Sequence, residues 1–317
     1  MNPHRRIASI DIGTNTVLLL IADVDKEGRI TTVHEEQRII RLGKNVDSNR
    51  NIGIEGLMKC VAVLQSYRAI AEKYACSELT ACGTSALRDA HNRDWFVREV
   101  KKQAGVEIEI LSGDEEALWT FQGGRLVLPD SEAEDSDMLV IDIGGGSTEF
   151  IVGSRDNITH KISLDIGAVR MTEMFIKSDP VKPQEETSLK QYVASLLTEK
   201  LEHYTLGKDI RCIGVAGTVT TLAAMEQKME KYQPDKINRY AISKTGLQKL
   251  LDDLRPMTQS ERQKIKGLQP ERADVIFAGG LILSEALNYF ELDRITVSDY
   301  GLRYGLILRK IKNPPAD

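Results

Sequence analysis

A chain of 317 residues, 41% apolar and 28% charged, has the composition of a soluble globular protein and the length for two domains with cores of their own. Its formal net charge of −5 argues against a general nucleic-acid binder, and no apolar run approaches the ~20 residues of a membrane span. The first apolar run already carries Asp11, so no secretory leader is expected, and Cys60, Cys76, Cys82 and Cys212 lack zinc-site spacing; they read as reduced thiols in a cytoplasmic protein.

In chain order, Ile7–Ala22 predicts a strand ending in Asp11-Ile12-Gly13, then small polar residues Thr14-Asn15-Thr16, then an apolar return strand and a turn at Asp25–Gly28. Thr31–Ile40 predicts a third strand and Arg41–Lys44 a turn with two cations. Ile54, Leu57, Met58, Val61 and Leu64 recur at helical spacing, which predicts a helix from about Gly53 to Tyr74. A strand at Glu78–Ala81 leads into Cys82–Ala90, where Thr84 or Ser85 would cap the next helix, and Trp95, Phe96 and Val100 are expected in the core. Val106–Leu111 is a strand with alternating acids. Ser112-Gly113-Asp114-Glu115-Glu116-Ala117 then opens a helix carrying Leu118, Trp119 and Phe121. Acids in a first turn can simply answer the helix dipole. Pro129–Asp137, with five acids and no large apolar residue, reads as a solvated linker.

The stretch Leu139–Phe150 organises the rest. An apolar strand ends in Asp142, the turn holds Gly144, Gly145, Gly146, Ser147 and Thr148, and Glu149 opens the return strand. Glycines let backbone N–H groups close on an anion, and the two hydroxyls add donors. Carboxylates beside a phosphate would repel it, by roughly 4 kcal/mol per pair at ~4 Å and surface-like screening. Asp142 and Glu149 therefore make sense with a divalent cation between them and the ligand; Mg²⁺ takes one or two carboxylates plus phosphate oxygens and water. Ile10-Asp11-Ile12-Gly13 matches Ile141-Asp142-Ile143-Gly144, an internal repeat that predicts two homologous domains, each giving a phosphate loop to a shared cleft.

Beyond it, Leu189, Tyr192, Val193, Leu196 and Leu197 predict an amphipathic helix, and Ile210–Val215 a strand. That strand runs into Ala216-Gly217-Thr218-Val219-Thr220-Thr221, an anion site in form, before a helix at Leu222–Met225. Gly246–Leu254 and Ser260–Ile265 read as helices, Ala278–Leu283 as a close helix contact, Ile295–Ser298 as a last strand and Tyr300–Ile311 as a final helix crossing back onto the first domain. Between Lys236 and Arg272, nine basic residues outnumber four acids, a local excess that a polyanion could use.

Taken together, Asp11–Thr16, Thr84–Arg88, Ser112–Ala117, Asp142–Glu149, Ala216–Thr220, Glu271–Asp274 and Ser298–Arg303 resemble, in order and over nearly the whole length, the exopolyphosphatase/guanosine pentaphosphate phosphohydrolase (Ppx/GppA) family of the actin/hexokinase-like superfamily. The resemblance implies an α/β protein of two ribonuclease-H-like (actin-like ATPase) domains, mixed sheets flanked by helices, with the active site in the interdomain cleft: residues 1–129, with a final helix at 300–317 packed back onto them, and residues 130–299. It implies hydrolysis of a terminal phosphoanhydride of inorganic polyphosphate, with Glu116 as catalytic base, Asp142 and Glu149 as Mg²⁺ ligands, and Gly13–Thr16 and Gly144–Ser147 as phosphate loops. Thr148, Gly217 and Thr218 join the phosphate-binding set, and Arg88 and Arg272 are expected as clamps on the phosphate chain.

Leu18 stands where many relatives carry a basic residue, and the chain reads as a short form, expected to be without the helical C-terminal domains of long relatives. Guanosine penta- or tetraphosphate is the alternative substrate; a small-molecule kinase and a non-catalytic alarmone binder are the alternative classes. No nucleic-acid or membrane partner is expected, and a homodimer is the candidate assembly.

Overall fold

The structure, a computed structural model, describes residues 5–43, 50–129, 137–155, 157–204, 206–207 and 210–313. Lys44 of the expected basic turn and most of the acidic linker expected at 129–137 lie outside them. The chain divides into unit 1, Met1–Gly123 with Leu302–Asp317, and unit 2, Gly124–Gly301. Both are α/β, each a mixed sheet flanked by helices.

Unit 1 has strands β1 (Arg5–Ile12), β2 (Thr16–Val24), β3 (Ile30–Ile39), β4 (Glu78–Gly83) and β5 (Ile108–Ile110), in sheet order β3-β2-β1-β4-β5. The first three form an antiparallel meander, and β4 and β5 add in parallel. Ile7, Ala8, Ser9 and Ile10 of β1 are all fully buried, as a strand covered on both faces requires. Helix α1 (Ile54–Lys73) buries Leu57, Cys60, Val61, Leu64, Tyr67 and Ala71. Its inner stripe is rotated from the expected one: Ile54 and Met58 are 71% and 54% exposed, and Cys60 and Tyr67 take the inward positions. Helices α2 (Ser85–Asp89), α3 (Arg93–Ala104) and α4 (Gly113–Gly124) follow. Phe96 and Val100 are fully buried, as expected; on α4 Leu118 is exposed, while Ala117, Trp119 and Phe121 face inward. Thr84 stands at the N-cap of α2 without bonding its amides; the hydroxyl instead donates to the Ile12 carbonyl at 3.4 Å.

Unit 2 repeats the plan with β6 (Met138–Ile143), β7 (Thr148–Gly153), β8 (Ile158–Leu164), β9 (Arg211–Val215), β10 (Ala241–Ser243) and β11 (Arg294–Val297), ordered β10-β11-β9-β6-β7-β8. Strands β6-β7-β8 are the antiparallel meander, and β9 and β11 the parallel additions. The internal repeat reaches the irregularities. The β2/β3 register shifts between Ile21 and Ala22, ten residues past Asp11, and the β7/β8 register shifts between Val152 and Gly153, ten past Asp142.

The helices of unit 2 are α5 (Ala168–Phe175), α6 (Pro183–Leu201), α7 (Ala216–Glu226), α8 (Lys244–Leu254) and α9 (Ile276–Tyr289), with two four-residue helices between. Leu189, Val193, Leu197 and Leu201 form the inner face of α6, and Tyr192 is left exposed. Helix α7 begins at Ala216, six residues before the expected start, so the glycine–threonine stretch is itself the first helical turn. The expected close contact in α9 is present: a Cβ on Gly279 would lie 2.6 Å from Cγ2 of Thr218.

The last helix, α10 (Gly301–Lys312), belongs from Leu302 onward to unit 1. Ser9 Oγ donates to the Arg303 carbonyl at 2.8 Å, and Gly305 lies so close to α4 that a Cβ would overlap the Trp119 carbonyl. The four cysteines are free thiols, and among the described residues no helix is long and apolar enough to cross a membrane.

Candidate active site

The two glycine loops close identically. Gly13 N–H donates to the Thr16 carbonyl at 3.0 Å, and Gly144 N–H to the Ser147 carbonyl at 3.0 Å. What lies behind each loop aims its remaining amides. In unit 2 the carbonyls of Gly144, Gly145 and Gly146 accept from the N-terminus of α5: Ala168 N–H at 2.9 Å, Val169 and Arg170 N–H at 2.9 and 3.1 Å, and Gly167 N–H at 3.2 Å, respectively. Arg170 Nε also donates to the Gly146 carbonyl at 2.8 Å. In a trans peptide the C=O and the following N–H point in opposite directions. The N–H groups of Gly145, Gly146 and Ser147 therefore face away from α5, as a three-donor anion cradle. The donors are shifted one residue from those expected, because the Gly144 amide closes the turn.

Loop 1 uses a segment instead of a helix. Gly43 N–H holds the Thr14 carbonyl at 2.8 Å, and Ile40 and Arg41 N–H both hold the Asn15 carbonyl at 3.0 Å. The Asn15 and Thr16 amides are thereby turned outward, and the Thr14 hydroxyl meets Ser85 Oγ at 3.0 Å. Thr148 departs from expectation. It is fully buried, and its hydroxyl donates to the Ile166 carbonyl at 2.6 Å, so it anchors the segment leading to α5 and offers no donor to a ligand.

Asp142 and Glu149 are direct partners in the β6/β7 register, so their side chains leave the same face of neighbouring strands. Ser163 of β8 donates to Glu149 Oε1 at 2.6 Å and fixes that carboxylate. Two adjacent carboxylates beside an amide cradle are an all-oxygen donor set suited to a hard divalent cation that completes its shell with water and ligand oxygens. Unit 1 has only half of this pair: opposite Asp11 in the β1/β2 register stands Leu18.

Strand register also gathers the remaining residues. Asp142 pairs with Val215, so loop 2 and the first turn of α7 leave the same edge of the unit 2 sheet. Arg272 is buried and lies against Gly217, where a Cβ would collide with its guanidinium; its Nε donates to Gln269 Oε1 at 3.1 Å. Burial pulls its pKa down to about 10, against the opposing charges of Tyr232 and Glu271. Gly217, Thr218 and Arg272 thus form one corner. In unit 1, Ile12 pairs with Gly83 and Gly83 with Ile110, which brings loop 1, α2 and the start of α4 to one sheet edge.

There Glu116 is buried and accepts from Arg88 Nη1 at 2.6 Å, while the same nitrogen donates to the Leu111 carbonyl at 3.3 Å. Desolvation pushes the Glu116 carboxyl above its ordinary range; Arg88 opposes the shift and Asp89 adds to it. Arg88, expected on the phosphate chain, bonds the candidate base through Nη1. The acid next to it, Glu115, is spent on capping: it accepts from Ser112 Oγ at 2.8 Å and Ser112 N–H at 3.1 Å. Asp11, outside the expected site set, also faces this cluster. Burial first, then the Glu116 charge, raise its pKa to about 7, and Arg303 opposes them. Its equivalence to Asp142 in the repeat was the signal available in the sequence.

The sequence model of the Ppx/GppA phosphatase family matches residues 20–314. A bifunctional 3-dehydroquinate synthase/phosphatase of Fusobacterium nucleatum is 38% identical over 96% of this chain, which spans 46% of that relative's length. Exopolyphosphatase 2 of Mycobacterium tuberculosis is 33% identical, with 96% of this chain and 98% of the relative covered. Among solved structures, an exopolyphosphatase from Cytophaga hutchinsonii superposes with a TM-score of 0.86 at 31% identity, covering 96% of this chain and 97% of that one. The Aquifex aeolicus member of the family does so with a TM-score of 0.83 at 30% identity, covering 99% and 100%. With the two loops, the carboxylate pair and the buried glutamate in place, these matches mean that the chain belongs to the Ppx/GppA phosphatase family.

Proposed function

We propose that the protein is a metal-dependent exopolyphosphatase that hydrolyses the terminal phosphoanhydride of inorganic polyphosphate and releases orthophosphate. The observation that carries this reading is the pairing of Asp142 with Glu149 beside three outward amides, a place for a cation and a phosphoryl group side by side. The relatives named exopolyphosphatase, one of them covered over 98% of its length, support the substrate class. Leu18, in place of a base, supports polyphosphate over a guanosine nucleotide.

In this reading Asp142 and Glu149 hold Mg²⁺, which when bound offsets charge on the transferring group. The amides of Gly145, Gly146 and Ser147 hold its oxygens, with the first turn of α7 and Arg272 as further anion donors. Phosphoryl transfer needs in-line positioning more than covalent help. Glu116 orients a water and accepts its proton at the carboxylate, and Arg88 keeps that carboxylate in one orientation. A base whose pKa lies above the ordinary carboxylate range gives an acid limb of kcat/KM displaced upward from that range.

The test is orthophosphate release by the purified protein with Mg²⁺ or EDTA, offered long polyphosphate, short polyphosphate, guanosine pentaphosphate and ATP. Release from polyphosphate that needs Mg²⁺ and falls about 10²–10⁴-fold in Glu116→Gln is the expected result. Faster release from guanosine pentaphosphate would reassign the substrate. Release from none, with the fold intact, would leave a binding protein.

A further inference from the structure

The buried charge around Glu116 does not balance. Asp11 of β1, Glu35 of β3 and Glu116 of α4 are three carboxyls in unit 1, drawn together with two guanidiniums, Arg88 of α2 and Arg303 of α10, while Asp89 of α2 adds its charge from an exposed position. Glu35 is satisfied: it accepts from Arg303 Nη2 at 3.0 Å and from the Tyr304 hydroxyl at 3.1 Å, and that hydroxyl also meets Thr32 Oγ1 at 2.7 Å. Glu116 has Arg88 at 2.6 Å. Asp11 differs. The residue as a whole is half-buried, but its Oδ1 is closed off from solvent and has no hydrogen-bond partner among the described residues. Its strand neighbours offer none: Leu18 stands opposite it on β2, and Cys82, a thiol kept neutral by a pKa of about 12, stands beside it on β4. An ionised oxygen walled in this way, facing a second carboxylate, is costly; one proton on the pair removes most of the cost. The direct Arg88 bond favours the ionised form of Glu116, so the proton goes to Asp11.

We propose that Asp11 is a positioning residue for the hydrolysis: it carries the proton of the buried carboxyl cluster, and so leaves Glu116 ionised to accept one from water. The second half of this proposal rests on Glu116 being the base; the first half does not. Arg303, on the last helix, is the opposing charge that limits how tightly Asp11 keeps its proton.

The first half is read without turnover. Infrared difference spectra of the full-length chain, free of metal and substrate, are recorded as pH is stepped from about 5 to about 9. The expected result is a protonated-carboxyl band that bleaches with a midpoint of about 7, is absent in Asp11→Asn, and survives in Glu116→Gln with its midpoint lowered by removal of the like charge. A band that persists in Asp11→Asn, or one lost in Glu116→Gln, would overturn the assignment. Should Asp11→Asn fail to fold, the Glu116→Gln midpoint decides alone. The second half is read as a pH profile. In the parent protein the ionisation of Asp11 adds negative charge beside a polyanion, so kcat/KM on polyphosphate relative to Asp11→Asn should fall several-fold as pH rises through the midpoint. A ratio constant with pH would mean a purely structural aspartate. Undiminished hydrolysis by Glu116→Gln would remove the base assignment and leave the infrared result standing.

Discussion

Asp11 shows how one residue can serve chemistry at the expense of the fold. Its folded pKa of about 7 lies above the unfolded value of 3.8. Between those values the folded chain holds a proton that the unfolded chain has released, so stability falls as pH climbs through the window, and the full cost is present above it. Asp11→Asn, which needs no proton to stay neutral, should therefore raise the melting temperature at pH above the folded value and change it little near the unfolded one. The gain is on the order of 1–4 kcal/mol at the alkaline end. Thermal melts of both proteins across that range check it, and a gain that grows toward acid would reverse the assignment. The sequence marks Asp11 as the counterpart of Asp142 in the repeat but does not announce this role. Glu116 and Arg303 reach it from α4 and α10, with Glu35 of β3 behind Arg303, and only the folded unit assembles them. Asp142 and Glu149 were legible by contrast, because a tight hairpin makes near neighbours in sequence into partners across two strands.

At the scale of elements, the short helix α5 does for loop 2 what its sequence does not advertise. It is eight residues long, buries Ala168 and Met171, and donates its first-turn amides to the loop's carbonyls. With only eight residues, α5 packs against α9 and α6 but is too short to repeat an apolar stripe, which is why it gives little sequence signal, whereas the longer α6, with a full stripe facing the core, does. The junction is tight at Gly167, where a Cβ would overlap the Gly145 carbonyl. Gly167→Ala should push the start of α5 off the loop and turn the three amides away from their common direction. Overpacking of this kind costs roughly 1–3 kcal/mol. Unit 2 has a large core apart from this junction, so the expected outcome is a folded protein whose orthophosphate release falls by 10-fold or more, about the rate change that 1.4 kcal/mol of lost transition-state stabilisation gives. Unchanged release with full stability would show that the loop does not depend on the helix behind it.

For the whole molecule, the repeat in the sequence predicts two homologous domains, and the two mixed sheets share a plan, an antiparallel meander extended by parallel strands with register shifts at equivalent places and β10 added in unit 2, because each half must support a glycine loop on the end of a central strand. The distribution of the chain between the units follows from the last helix. Unit 2 is continuous from Gly124 to Gly301, but unit 1 is completed only by Leu302 onward. Leu302, Leu306 and Ile307 are buried, the first two packed with Cys82, Leu111 and Trp119, and Arg303 and Tyr304 satisfy Glu35. Each buried aliphatic side chain contributes about 1.5–3 kcal/mol, so three of them rival the 5–15 kcal/mol that separates a folded domain from an unfolded one. Their loss would also leave Glu35 and Asp11 without the Arg303 guanidinium. A chain ending at Gly301 should therefore lose unit 1 and keep unit 2. Hydrogen exchange resolves the two: amides of β1, β2 and β4 should exchange at rates near those of an unfolded chain, while β6, β7 and β9 retain their protection. Equal loss of protection in both sheets would overturn this expectation and mean that the two units unfold as a single cooperative body.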